Sequence, residues 1–131
     1  MLHITALYGS ILALILLWLA YNIVKFRRTE QVELGDGGSE KGVRHIRAQA
    51  NAIENIPITL LLFAIYEING GSMYVLHAIG ILLVFARIIH PLGLVSKKGV
   101  SFGRYYGTLI TWLAIIALAL LNIYHFASNL L

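Results

Sequence analysis

TALYGSILALILLWLAYNIV, residues 5–24, followed at once by Lys25, Arg27 and Arg28, is the stretch from which the architecture is read. An uncharged run of this length rises about 30 Å as an α-helix, the thickness of a hydrocarbon core. The positive charges follow the apolar run and no small-residue cleavage site appears, so the stretch reads as a membrane span, taken over about 5–26, and not as a secretory signal.

Working outward, Thr29 to Glu40 is polar and holds the turn Gly35-Asp36-Gly37-Gly38, which lacks the lysine and spacing of a phosphate loop. A second helix starts between Ser39 and Arg44 and spans about 44–68. Asn69-Gly70-Gly71-Ser72 makes a tight hairpin into a third span over about 73–94. Ser96-Lys97-Lys98-Gly99 links this to a fourth span over about 101–126. The expected fold is all-α, an integral membrane four-helix bundle forming one domain over 1–131.

Composition agrees. Of 131 residues 59% are hydrophobic and 12% charged, too apolar for a small soluble domain, whose surface needs polar cover. The net charge of +4 is not a nucleic-acid footprint, because the basic residues flank apolar runs. Without cysteine there is no disulfide, thiolate metal site or cysteine nucleophile. His3, His45, His77, His90 and His125 show no zinc-ligand spacing, so no metal is expected.

Orientation follows from the basic residues. Lys25, Arg27, Arg28, Lys41, Arg44, Arg47, Arg87, Lys97, Lys98 and Arg104 all fall toward loops one and three. The positive-inside tendency makes those loops cytoplasmic and puts both termini and the hairpin outside, in the inner membrane if the source is bacterial. Tyr8, Tyr66, Tyr74 and Tyr124 near the outer ends, and Tyr21, Tyr105 and Tyr106 near the inner ends, are expected to form interfacial belts.

The segment that asks for a function is Arg47-Ala48-Gln49-Ala50-Asn51-Ala52-Ile53-Glu54-Asn55-Ile56-Pro57. Ile56 to Gly70 covers only about 22 Å of rise, so Asn51 and Glu54 fall within the hydrocarbon, where an ionisable group is expensive unless paired or facing a wet cavity. At about 100° per residue from Arg47, Asn51 lies near 40° and Glu54 near 340°, on one stripe. Gln49, near 200°, serves the same site only if a neighbouring subunit supplies that face. Counting back from the hairpin, Glu54 and Arg87 share a depth, which predicts a Glu54–Arg87 ion pair, with His90 on the face of Arg87. Pro57 removes one helix bond, and Gly103 and Gly107 form a small-xxx-small pair. Arg104, Tyr105 and Tyr106 reach either the polar site or the interface.

Several arginines, one carboxylate and amides beside lipid suit a ligand carrying two carboxylates and an ammonium group. Glutathione has that pattern, with its carboxylates matching arginines and its ammonium matching Glu54. A lipophilic second substrate would arrive through the membrane lipid.

Arg47 to Pro57, with Phe85-Ala86-Arg87 and the Gly35-Asp36-Gly37-Gly38 loop, resembles the membrane-associated proteins in eicosanoid and glutathione metabolism, the MAPEG family, and its bacterial members in particular. The resemblance covers nearly the whole chain. It implies a homotrimer binding glutathione between subunits, with Arg47, Gln49, Asn51, Glu54, Arg87 and His90 around the ligand and Lys98 or Arg104 stabilising its thiolate. A glutathione transferase or peroxidase is therefore expected. Asn55 and His90 stand where the family's leukotriene-forming members carry tyrosine, which favours the alternative of a non-catalytic lipid- or glutathione-binding scaffold. A transporter or pore would need polar positions along the full depth.

Overall fold

A computed structural model describes residues 1–96 and 99–130, without the side chains of residues 129 and 130. It contains four helices, α1 (His3–Thr29), α2 (Glu40–Ile68), α3 (Met73–Ser96) and α4 (Phe102–Leu130). All four are long and apolar enough to cross a membrane. Each extends past the apolar window read from sequence, because the charged residues that end hydropathy, such as Lys25 to Arg28 and Glu40 to Arg47, are themselves good helix formers.

Local signals set the ends. Ser39 caps α2, its Oγ accepting from the Gly42 amide at 3.0 Å. In the first loop Gly35, Gly37 and Gly38 take positive φ, and the Gly38 amide donates to Asp36 Oδ1 at 2.8 Å, closing a turn that side chains with a Cβ resist. Ser101 precedes α4, receives the Arg104 amide at 3.3 Å and donates to the Gly93 carbonyl at 2.6 Å, tying the start of α4 to the end of α3.

The helices do not pack equally. α3 and α4 are the most intimate pair, α2 touches the other three, and α1 and α4 do not meet. Gly103 and Gly107 permit the α3–α4 approach, since a Cβ on Gly107 would lie 2.6 Å from His90 Cβ and 2.9 Å from the Ala86 carbonyl. Two apolar clusters fill the bundle. One gathers Tyr8, Phe63, Tyr66, Leu76 and Leu118 toward the hairpin end, the other Leu12, Leu19, Ala48, Ala52, Ile56 and Leu83 toward the basic loops.

The tyrosine belt needs correction at two positions. Tyr74 and Tyr124 are exposed, but Tyr8 and Tyr66 are buried in the core. The Tyr8 hydroxyl lies 3.0 Å from His77 Nδ1, and the Ser72 amide donates to Tyr66 Oη at 3.3 Å. Both rings therefore join helices to one another, their polar tips satisfied inside the protein. Nor is the N-terminus of α1 left open. Glu67, at the end of α2, accepts from the Ile4 amide at 2.9 Å, the Thr5 amide at 2.7 Å and the Thr5 hydroxyl at 2.6 Å. A carboxylate from another helix thus caps donors that α1 has no side chain of its own to satisfy.

Candidate functional site

On α2, Arg44, Arg47 and Asn51 follow one another at three and four residues and so project from one face. His90 and Leu94 do the same on α3, and Arg104 and Thr108 on α4. Together with Val43 these side chains line a cleft of about 410 Å³ at the end of the bundle that carries the basic loops. Three of its eight lining residues are arginines and none is acidic, so the cleft presents a concentrated positive field to an anion.

Behind the cleft, Arg87 is 2% exposed. Its Nη1 donates to Asn51 Oδ1 at 3.0 Å and its Nη2 to the Gly107 carbonyl at 3.1 Å, so one guanidinium joins α2, α3 and α4. The Gly107 carbonyl also accepts from the Thr111 hydroxyl at 2.8 Å. Arg87 Nε is buried without a hydrogen-bond partner among the described residues. Asn51 is thereby oriented, its oxygen turned to Arg87 and its amide nitrogen left for the cleft.

The predicted Glu54–Arg87 ion pair is not formed. Glu54 lies 3.6 Å from Arg47, and both side chains are more than half exposed on the outer face of α2. The reason is angular. The buried positions Ala48, Ala52, Thr59, Phe63 and Tyr66 centre near 130° on the α2 wheel, about 90° from Asn51 but about 150° from Glu54. A buried arginine on α3 meets Asn51 first, so equal depth does not bring Glu54 within its reach.

Of the residues singled out from sequence, the structure brings Arg47, Asn51, His90 and Arg104 together around the cleft, with Glu54 at its margin through Arg47 and Arg87 in its wall. Gln49 does not line it, in keeping with its position near 200°. Lys98 lies outside the described residues. Asn55 turns away from ligand chemistry, its Nδ2 donating to the Asn51 carbonyl at 2.8 Å. Arg104 Nη1 donates to the Gly99 carbonyl at 3.2 Å.

Sequence reasoning missed Arg44 and Thr108 as lining residues. Arg44 carried a usable signal, being three residues before Arg47 and near 60° on the same wheel. Thr108 becomes visible only once Arg104 is known to face the cleft, since it lies one turn further along α4.

Comparison with known proteins agrees with this arrangement. The model of the MAPEG family matches residues 5–124. The inner membrane protein YecN of Escherichia coli K12 is 32% identical over 122 residues, covering 93% of this chain and 92% of the relative. The protein of the same name from E. coli O6:H1 strain CFT073 matches with the same identity and coverage. With four apolar helices and an inner membrane relative, the chain is a multi-pass integral membrane protein.

Proposed function

We propose, from the premise that this chain belongs to the MAPEG family, that it binds glutathione in the arginine-lined cleft and directs its thiolate at lipophilic electrophiles or hydroperoxides. The observation that carries this reading is the convergence of Arg44, Arg47, Asn51, His90 and Arg104 on one cleft without an acidic lining residue. Arg44 and Arg47 offer forked donors to the carboxylates, Asn51 offers its amide to a peptide group, and Glu54 beside Arg47 takes the ammonium. Arg104, in the first turn of α4, adds a cation and the positive helix end, both of which stabilise a thiolate and lower its pKa.

In the transferase reaction the thiolate sulfur bonds to an electrophilic carbon and displaces its leaving anion, such as chloride from an activated aromatic ring. In the peroxidase reaction two glutathione molecules reduce a lipid hydroperoxide, giving the disulfide, the alcohol and water. Glu54 and Arg47 are more than half exposed at hydrocarbon depth, a costly position for charge unless another copy covers it. A homotrimer supplies that cover and brings the Gln49 face of a neighbour toward the site. The basic loops then face the cytoplasm and both termini the other side.

The deciding experiment is a glutathione titration of detergent-solubilised protein followed by thiolate absorbance. Saturable thiolate formation, lost when Arg47 and Glu54 are both replaced by alanine, is the expected result. Equal behaviour of the two proteins would overturn the reading. Binding without turnover of a chlorinated aromatic or a lipid hydroperoxide would assign the chain to a binding role, which Asn55 and His90, neither of them a hydroxyl donor, would then explain.

A further inference from the structure

A second pocket, of about 230 Å³, lies between α1, α2 and α3, about 100° around α2 from the arginine cleft. Its lining is graded along the bundle in the same sense on all three helices. On α1, Trp18 and Leu19 lie deep and Asn22 lies nearer the basic loops. On α2, Ala48 is deep and His45 shallow. On α3, Pro91 and Leu92 are deep and Ser96 shallow.

The polar groups therefore gather at the interfacial end and the apolar ones toward the membrane interior. Among the described residues Asn22, His45 and Ser96 have no side-chain hydrogen bond, although two of them sit within spans where an unpartnered amide or imidazole is costly. Each offers an N–H or O–H donor. No Asp or Glu lines the pocket, and the nearby Glu30 and Glu40 are held by Lys41 and Arg44 at 3.2 Å each. Trp18 and Leu92 are exposed on the outer surface, which gives access sideways from lipid.

We propose that this pocket binds a free long-chain carboxylic acid, its carboxylate accepting from Asn22, His45 and Ser96 and the first part of its chain lying along Trp18, Ala48 and Leu92. The donor end with its cationic surroundings selects a carboxylate, and the depth gradient matches a head held at the interface with a tail directed inward. An apolar cavity of about 150 Å³ takes one benzene ring, so 230 Å³ accommodates roughly nine carbons on the same scale, the rest of the chain remaining in lipid. The inference stands apart from the glutathione reading, because no lining residue is shared.

The test uses the full chain in detergent with stearic acid spin-labelled in mid-chain as the probe. The expected result is a saturable immobilised signal that unlabelled stearic acid displaces, and that methyl stearate and lysophosphatidylcholine do not. Asn22→Leu and His45→Leu are each expected to weaken binding about tenfold while far-UV circular dichroism and the unfolding midpoint stay near wild type. Should one variant fail to fold, the other, on a different helix, decides. Displacement by the methyl ester or the lysophospholipid as effective as by the acid, a signal that never saturates, or folded variants that bind as wild type would each overturn the proposal.

Discussion

Replacing Arg87 by methionine separates what the buried guanidinium does for the bundle from what it does for the site. The side chain is 2% exposed, lacks a carboxylate partner among the described residues and leaves Nε unpartnered. Its two hydrogen bonds, charge-assisted and worth ~1.5–3 kcal/mol each, sum to about 3–6 kcal/mol. Removing a lone cation from the interior returns several kcal/mol of desolvation, a sum of the same size. Neither acceptor is stranded. Asn51 is part-exposed and can turn to water, and the Gly107 carbonyl keeps the Thr111 hydroxyl at 2.8 Å. Methionine has nearly the length of the lost side chain, so the cavity term of about 2–5 kcal/mol expected for Arg87→Ala does not arise.

Arg87→Met should therefore change stability by less than about 1.5 kcal/mol, while glutathione binding weakens about tenfold, equivalent to ~1.4 kcal/mol, as Asn51 loses the group that orients it. Stability is read from unfolding in mixed micelles of increasing dodecyl sulfate, followed by circular dichroism and by the fluorescence of Trp18 and Trp112. Affinity is read by isothermal titration. A loss above about 3 kcal/mol with unchanged glutathione affinity would refute the reasoning, showing the guanidinium to be a structural clamp without a role in the site.

Three further outcomes are expected. Glu67→Ala should lower stability by about 1–2 kcal/mol, because three donors at the start of α1 lose their acceptor, and hydrogen exchange should rise selectively over the first turn of α1. Unchanged exchange there would contradict the capping role. Gly107→Ala should cost about 1–3 kcal/mol, since its Cβ would meet His90 Cβ at 2.6 Å, and the unfolding midpoint in the same micelles measures it. Arg104→Met should abolish the thiolate absorbance of bound glutathione while Lys98→Met leaves it in place, and the opposite pattern would move the thiolate to Lys98.

Much of the cleft was legible from spacing alone. Arg47, Asn51 and Glu54 lie at three- and four-residue intervals, and a helix must project such residues from one side wherever it is placed. What spacing did not give was how far that side turns from the protein interior. Ninety degrees of rotation separates an Asn51 that touches Arg87 from a Glu54 that does not.

The four spans, their limits and the clustering of basic charge toward loops one and three were determined by the linear sequence, because hydropathy, charge and cap residues such as Ser39 act along the chain. The facing of each helix was decided by tertiary structure. In water a buried stripe is apolar and an exposed one polar, but in lipid both are apolar, so the exposed Leu14, Leu17, Ile81 and Leu120 read no differently from the buried Leu12, Leu19, Leu83 and Leu118. Shape broke that degeneracy. The close approach allowed by Gly103 and Gly107, the interior seats of Tyr8 and Tyr66 and the reach of Glu67 across to α1 arise only when four surfaces are fitted together, and they set which residues Arg87 can touch.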